Sequence, residues 1–143
     1  MTATIRTRAA TTDDAADLAR LNALFNGVHD TAEELAARLA DPRRVETPIV
    51  AEASERIVGF AALRLVPCVF YVSSYAELTE LFVEEAYRRR GIGRALIAHA
   101  ERLAREGGAA ELFLLIGPGN HEAQALYRAM GYRDHDLVLC KAL

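Results

Sequence analysis

The sequence predicts a single-domain α/β protein with a mixed central sheet of about six or seven strands and helices on both faces. Runs rich in β-forming residues alternate with helical periodicity along all 143 residues, a length typical of one domain. Residues 75–116 show the pattern strand, helix, strand, which within one sheet is a parallel crossover. No linker, repeat or low-complexity tract interrupts residues 1–143, so we expect a single domain.

Composition narrows the class of protein. Apolar residues make up 52% of the chain and charged residues 26%, enough for a core without disulfides or metal. The formal net charge of −3 argues against a protein that grips nucleic acid over a whole face. Cys68 and Cys140 form no CxxC pair, so we expect reduced thiols and a cytoplasmic protein. The first 14 residues lack the apolar core of a signal peptide, and no run approaches transmembrane length, so we expect no membrane association.

The N-terminal third predicts one strand and two helices. Residues 4–10 alternate weakly and suit a first strand. A helix over 12–26 follows, with Thr12 as its N-cap and Gly27 as its stop signal. A second helix over 31–40 opens on the capping-box sequence TAEE and ends before a proline.

The middle of the chain predicts three strands. Residues 48–66 form two β-rich runs joined at Ser54-Glu55-Arg56, which indicates an antiparallel hairpin. A loop over 67–74 leads into a strand over 75–83, the sequence YAELTELFV.

The C-terminal half predicts two helices and two or three strands. A helix begins near Gly91 and ends at Gly107-Gly108. The apolar run 110–117 is typical of a strand buried on both faces. A compact helix over 121–131 follows, and residues 132–143 predict a final strand or strand pair.

The sequence YRRRGIGRAL, residues 87–96, lies between a strand end and a helix start. Glycines there let backbone N–H groups converge, and the helix N-terminus adds partial positive charge, so the turn suits a diphosphate. The spacing is neither a P-loop nor GxGxxG, because Leu96 occupies the place of the third glycine. A tight turn with solvated arginines explains the same residues, and the stretch by itself leaves both interpretations open.

Two sequence blocks resemble one known family. The pattern Arg88-x-x-Gly91-x-Gly93, preceded by ELTELFVEEAY and followed by RALIAHA, closely resembles the acetyl-CoA signature of the GNAT superfamily of N-acetyltransferases. The block NHEAQALYRAMGY, residues 120–132, is similar to the Asn-x-x-Ala-x-x-Leu-Tyr-x-x-x-Gly-Tyr pattern of the same family. The specific part of the resemblance covers 75–132, and the order of elements extends it to almost the whole chain.

The resemblance implies that acetyl-CoA is the co-substrate. It implies that the amides of 89–94 hold the pyrophosphate, that the central strand pairs with the pantetheine arm, and that Asn120 binds the same arm. An N-cap role also suits Asn120, and each arginine is equally consistent with a solvated side chain. The implied cofactor-binding residues are Leu81, Phe82, Val83, Arg88, Arg89, Arg90, Gly91, Ile92, Gly93, Arg94, Asn120 and Tyr127.

The resemblance also implies direct transfer of an acetyl group from sulfur to an amine. Glu77 occupies the position of the general base, acting directly or through water, and Tyr127 that of the acid toward the departing thiolate. Glu80 is the competing base. Strict alternation places Glu77 and Glu80 on opposite faces of the strand, whereas the bulge common in this family changes that parity. A solvent-facing carboxylate and a packed helical aromatic are the alternatives for Glu77 and Tyr127.

The histidines favour packing over metal binding. His99 lies close to the apolar stripe of its helix, and no histidine pair has metal-ligand spacing. We therefore expect no metal. The reservation is that the chain is similar to bacterial aminoalkylphosphonate acetyltransferases, some of which use a divalent metal.

The sequence says least about the acceptor amine. Helices 12–26 and 31–40 and the segment 68–76 supply acidic and aromatic residues, which suit a small cationic amine. Aminoglycoside, polyamine, protein N-terminal and lysine acetylation remain open. So does a non-catalytic acyl-CoA-binding sensor, although a sensor needs neither Glu77 nor Tyr127. We expect no nucleic-acid partner and leave a homodimer open.

Overall fold

A computed structural model describes residues 4–143, and residues 1–3, the start of the expected domain, lie outside it. Over the described residues the fold is a mixed five-stranded sheet in the order β1-β2-β3-β4-β5. The first four strands are antiparallel neighbours and β5 is parallel to β4, so the expected α/β class and the parallel crossover are confirmed. The strands are β1 (Ile5–Ala9), β2 (Glu46–Ala53), β3 (Arg56–Val66), β4 (Tyr75–Val83) and β5 (Phe113–Leu114), and the helices are α1 (Ala15–Asn26), α2 (Ala32–Ala40), α3 (Ile92–Glu106) and α4 (His121–Ala129).

Local capping sets the ends of the first two helices. The backbone N–H of Thr11 donates to Asp14 across a short 3₁₀ turn, at 2.8 Å. Thr11 is the N-cap of this 3₁₀ turn and Asp14 is the N-cap of α1, so the expected N-cap at Thr12 is wrong, because the turn precedes the α-helix. Gly27 ends α1 at a φ of 68°, and the capping box that begins at Thr31 is formed, as the sequence predicts.

The sheet separates two apolar layers. On one face, the β2–β3 hairpin and β4 pack against α3 and α4, and on the other face they pack against α1. The expected hairpin turn is confirmed, with Ser54 and Glu55 both at positive φ. The buried side chains on the α3 face include Ile49, Val58, Leu78, Leu96 and Ile97, and those on the α1 face include Leu18, Leu21, Val50 and Phe60.

The C-terminal end differs from the expectation. The strand predicted over 110–117 shortens to the two half-buried residues of β5, and Leu115 is 65% exposed. The described residues 132–143 form no strand, so the sheet has five strands and not six or seven. The reason is that strand propensity reports packing against neighbours, and nothing among residues 4–143 pairs with the outer edge of β5.

Candidate active site

An extra residue in β4 places two carboxylates on the same face of the sheet. Opposite β3, the pairing changes from Ala62↔Glu80 to Leu63↔Leu78, so that Thr79 is the unpaired bulge residue. Strict alternation would separate Glu77 from Glu80, but the extra residue restores the same parity. Both side chains therefore lie on the face that packs against α1.

The two carboxylates have different surroundings. Glu77 is buried, with 9% of its surface exposed, and it forms an ion pair with the Arg64 guanidinium of β3. Glu80 is more exposed and accepts a hydrogen bond from the Asn26 amide of α1, at 3.2 Å. One carboxylate is therefore fixed by a cation and the other is held by a neutral group.

Strand β4 has an open edge beyond its middle. It pairs with β5 only through Glu77 and Leu78, so within the described residues its later part has no strand on that side. The N–H of Glu84 donates to the β3 carbonyl of Val58 at 2.8 Å. Because successive residues direct their backbone groups to opposite sides, Leu81 and Val83 direct theirs to the open edge. Phe82, by the same alternation, directs its N–H and carbonyl toward β3.

The turn before α3 presents six consecutive backbone amides. In the described part of the chain, none of the N–H groups from Arg89 to Arg94 donates to a carbonyl or a side chain, and the first such donor is Ala95. Arg89 and Gly91 both adopt left-handed backbone, with φ of 62° and 79°. Alternation of this kind forms a concave nest of amides that binds anions, and the helix dipole adds positive charge there.

The four arginines around this turn carry uncompensated charge. Arg88 donates through Nε to the carbonyl of Val83 at 2.9 Å, and its guanidinium lies 5.7 Å from the Phe82 ring centre. Arg90 donates to the carbonyl of Ala86 at 3.2 Å. Within residues 4–143, no carboxylate forms an ion pair with any arginine of this group. The turn therefore offers positive charge to an anion that approaches the amides.

Helix α4 lies beside the start of α3. A Cβ added to Gly93 would meet the Leu126 side chain at 3.2 Å, so glycine allows the two helices to approach closely. Asn120 caps α4 by accepting from the N–H of Ala123 at 3.2 Å. The capping interpretation of Asn120 is therefore confirmed. The cap uses the amide oxygen, and within residues 4–143 the side-chain amide hydrogens donate to no other group.

Tyr127 projects from α4 into the core. Its side chain is 6% exposed and packs in the α3-side cluster, with its ring 5.5 Å from that of Tyr132. Burial, and secondarily Tyr132, raises the pKa of Tyr127 well above the ordinary value. The hydroxyl is therefore protonated at neutral pH, as a proton donor must be.

A cleft lies beside β5 and not at the amide nest. It has a volume of about 1110 Å³ and its walls include Tyr75, Phe113 and Tyr127 together with the C-terminal segment 132–138, but none of residues 88–94. The amide nest and the cleft wall that contains Tyr127 are therefore two separate places on the protein. The nest suits an anion better than the cleft does, because it combines consecutive backbone amides with positive charge.

His99 is a structural residue in this fold. It is buried on α3, and its Nδ1 lies 2.9 Å from the Thr7 hydroxyl of β1. Burial, and to a lesser extent Arg102, lowers the pKa of His99. The expectation of a packed histidine is confirmed.

Sequence reasoning missed Arg64. Nothing in the residues around it suggests chemistry, and its contact with Glu77 depends on the register that the bulge sets. Tyr75 lies in the segment 68–76, which was expected to supply aromatic residues to the acceptor, and it donates a hydrogen bond to Glu77 at 3.2 Å. Alternation along β4 brings Tyr75 to the face of Glu77, whereas Arg64 is brought there by the pairing of β3 with β4 past the bulge.

Two further features of residues 4–143 concern membranes and metals. No helix there combines the length and apolar character needed to cross a bilayer. No three His, Cys, Asp or Glu side chains of that part lie close enough together to hold a metal ion.

The chain matches the acetyltransferase (GNAT) family over residues 13–132. Because this match covers most of the 143 residues, the chain belongs to the GNAT family of acetyltransferases. The family resemblance predicted from the two sequence blocks is therefore confirmed.

Curated relatives and a solved structure agree with this family. Over 138 residues the chain is 32% identical to an aminoglycoside N(6')-acetyltransferase of Stenotrophomonas maltophilia, with 92% of this chain and 88% of that protein aligned. It is 34% identical over 84 residues to human N-acetyltransferase 8, which is 59% of this chain and only 37% of that protein. An aminoglycoside N-acetyltransferase in complex with CoA shares the fold, with a TM-score of 0.84, 20% identity, and coverage of 100% of this chain and 97% of that chain.

Several relatives are much longer than the region they share with this chain. The chain spans 37% of human N-acetyltransferase 8 and 48% of an uncharacterized N-acetyltransferase of Chlorobaculum tepidum. The similarity therefore covers only part of each of those proteins and not their full length.

Proposed function

We propose that the protein is an acetyl-CoA-dependent N-acetyltransferase that moves the acetyl group directly to a primary amine of a small molecule. The observation that carries this proposal is the nest of six amides at 89–94, none of which donates to another group of the described residues, beside the open edge of β4. The nest suits a diphosphate, and the edge suits an extended amide-containing arm that adds like a strand. A CoA complex of a protein with the same fold supports the assignment.

The proposed reaction converts an ammonium group and acetyl-CoA into an amide, the CoA thiol and one proton. An ammonium has no lone pair, so Glu77, directly or through water, first accepts a proton from it. The nitrogen then bonds to the acetyl carbonyl carbon, the carbon–sulfur bond breaks, and Tyr127 protonates the leaving thiolate. The second proton that the nitrogen releases restores the phenol. An outward N–H of Leu81 or Val83 polarises the carbonyl during attack.

The acceptor that fits best is a small molecule with more than one amino group. Glu46 and Glu80 have no cationic partner among the described residues. The hydroxyl of Thr79, the residue that precedes Glu80 on β4, donates to Glu46 of β2. A second ammonium group would supply the missing cation, and the aminoglycoside acetyltransferase relative supports this choice.

Thiol release from acetyl-CoA across three amines tests the proposal. The panel is sisomicin, which is bound by a solved aminoglycoside acetyltransferase of this fold, spermidine, and a peptide with a free N-terminus and a lysine. We expect release with sisomicin or spermidine and none with the peptide. Thiol release with the peptide alone would indicate protein acetylation. Tight binding of acetyl-CoA with no thiol release in the presence of any of the three amines would indicate a sensor.

A further inference from the structure

Two residues hold the same oxygen of Glu77. Past the bulge, β3 places Arg64 opposite Glu77, and the guanidinium pairs with Oε2. The Tyr75 hydroxyl donates to that same Oε2 at 3.2 Å. Within residues 4–143, Oε1 of Glu77 accepts no hydrogen bond. The carboxylate is therefore fixed through one oxygen and leaves the other free.

The Tyr75 contact is itself supported. Its ring stacks on Phe113 of β5, with ring centres 5.3 Å apart and planes at 9°. The other side of Phe113 meets the edge of His135, also at 5.3 Å. Burial, followed by the charge of Glu77, raises the pKa of Tyr75, so its hydroxyl stays protonated and able to donate.

Glu80, on the same face of β4, has no comparable pair of side chains holding its carboxylate among the described residues. Its carboxylate accepts a hydrogen bond from the neutral amide of Asn26, and it pairs with no cation among the described residues. A side chain with one neutral contact at the surface keeps much of its rotamer freedom. The structure therefore distinguishes the two candidate bases by how firmly each is oriented.

We propose that Arg64 and Tyr75 are positioning residues that hold Glu77 by Oε2 and direct Oε1 toward the proton it accepts. This inference rests on the proposed function, because it concerns the base of that reaction. The proton moves from the acceptor nitrogen, or from a water between them, to Oε1, while the guanidinium keeps its charge and the phenol keeps its proton. Neither residue is assigned a contact with the acceptor or acetyl-CoA.

The test compares steady-state kinetics of Arg64→Met and Tyr75→Phe, using the amine of the panel that releases thiol fastest. We expect kcat to fall about 10- to 100-fold, since small misplacements of a reacting group cost this much, while KM for acetyl-CoA stays unchanged. Arg64→Lys should recover part of kcat, because it keeps the charge and loses the planar fork. Arg56→Met is the matched control, because Arg56 lies on the same strand and pairs with Glu84 instead.

A double mutant separates positioning from general structural damage. In a Glu77→Gln background, Arg64→Met should cause little further loss of kcat, since both changes remove the same function. Full additivity, or a rise in KM for acetyl-CoA with kcat unchanged, would overturn the inference. Tyr75→Phe removes only a hydroxyl, so it keeps the test decisive if thermal melting shows that Arg64→Met does not fold.

The outcomes also separate this inference from the proposed function. If Glu77→Gln lowers kcat while Arg64→Met and Tyr75→Phe do not, positioning is wrong and the base assignment stands. If Glu77→Gln leaves kcat unchanged, both the base assignment and the positioning role are wrong. Acetyl-CoA binding and thiol release by the wild type would remain valid in either case.

Discussion

At the scale of single residues, Glu77 and Glu80 share a face of β4 but differ in burial and support. Glu77→Gln keeps the shape of the side chain and removes the carboxylate. We expect kcat/KM near neutral pH to fall about 10²- to 10⁴-fold, the usual contribution of general-base catalysis. The loss should shrink at high pH, where more of the amine arrives already neutral. A pH series of thiol-release rates measures both effects.

Glu80→Gln is the matched variant for that measurement, and it should lose much less activity. Its carboxylate is held only by Asn26 and is not directed by a cation. If Glu80→Gln shows the large, pH-dependent loss and Glu77→Gln does not, the base is Glu80. Equal and small losses in both variants would indicate that the amine loses its proton to solvent.

Tyr127 and Tyr132 form a natural pair for testing the proton donor. Tyr127 is buried and Tyr132 is partly buried, and their ring centres lie 5.5 Å apart, but only Tyr127 is assigned to the thiolate. Tyr127→Phe should lower kcat with little change in acetyl-CoA affinity, because only the proton donor is lost. Tyr132→Phe should keep kcat, and it should raise the melting temperature, because the Tyr132 hydroxyl is buried without a partner among the described residues and such a group costs stability. Equal kcat losses in the two variants would reduce Tyr127 to a packing role.

At the scale of elements, the start of α3 is the proposed binding site for the diphosphate. Gly93→Val adds a branched side chain beside the converging amides, and its Cβ meets only the flexible end of Leu126. We expect a folded protein whose acetyl-CoA affinity falls at least about tenfold, or about 1.4 kcal/mol. Calorimetry measures the affinity, with Ala98→Val on the exposed face of the same helix as control. Gly91 is a poorer choice, since its φ of 79° would strain any valine.

Unchanged acetyl-CoA affinity in a folded Gly93→Val protein would show that the diphosphate does not bind at the start of α3. An equal loss in Ala98→Val would instead show that valine disturbs the helix as a whole. The comparison therefore separates blocking of the amides from a change in helix stability.

Elements with strong local signals could be predicted from the sequence. The strand of residues 75–83 and the stops at Gly27 and Gly107 follow from alternation and from glycine chemistry, and the structure has them. The bulge at Thr79 has no such local signal, because it exists only in the pairing of two strands. The segment 132–143 is a similar case, since strand formation there depends on pairing with another strand, and among the described residues it pairs with none.

The same distinction applies to the site. The amide nest could be predicted, because the glycines and the following helix are adjacent in sequence. The partners of Glu77 could not, because Arg64 is brought to it by register across a hairpin. Local chemistry is visible in the sequence, whereas the pairing of distant side chains requires the fold.

At the scale of the whole molecule, His99 links α3 to β1 and makes stability depend on pH. Its pKa is lowered in the folded state, so the unfolded chain takes up the proton first as the pH falls. The stabilising contribution is present above the unfolded value of about 6.5 and is lost below it. We expect the melting temperature to fall between about pH 7.5 and 5.5, and to fall less in His99→Asn, which can still bond Thr7 but does not titrate. An equal fall in both proteins would assign the acid sensitivity to other groups.

The central claim is that the nest at 89–94 and the open edge of β4 together bind acetyl-CoA. A titration of ¹⁵N-labelled protein with acetyl-CoA, followed by two-dimensional NMR, observes the backbone amides along the chain at once. We predict that the largest shift changes occur at the amides of 89–94 and at the outward N–H groups of Leu81 and Val83. Shift changes confined to β5 and the segment 132–138, or none at saturating acetyl-CoA, would contradict the claim.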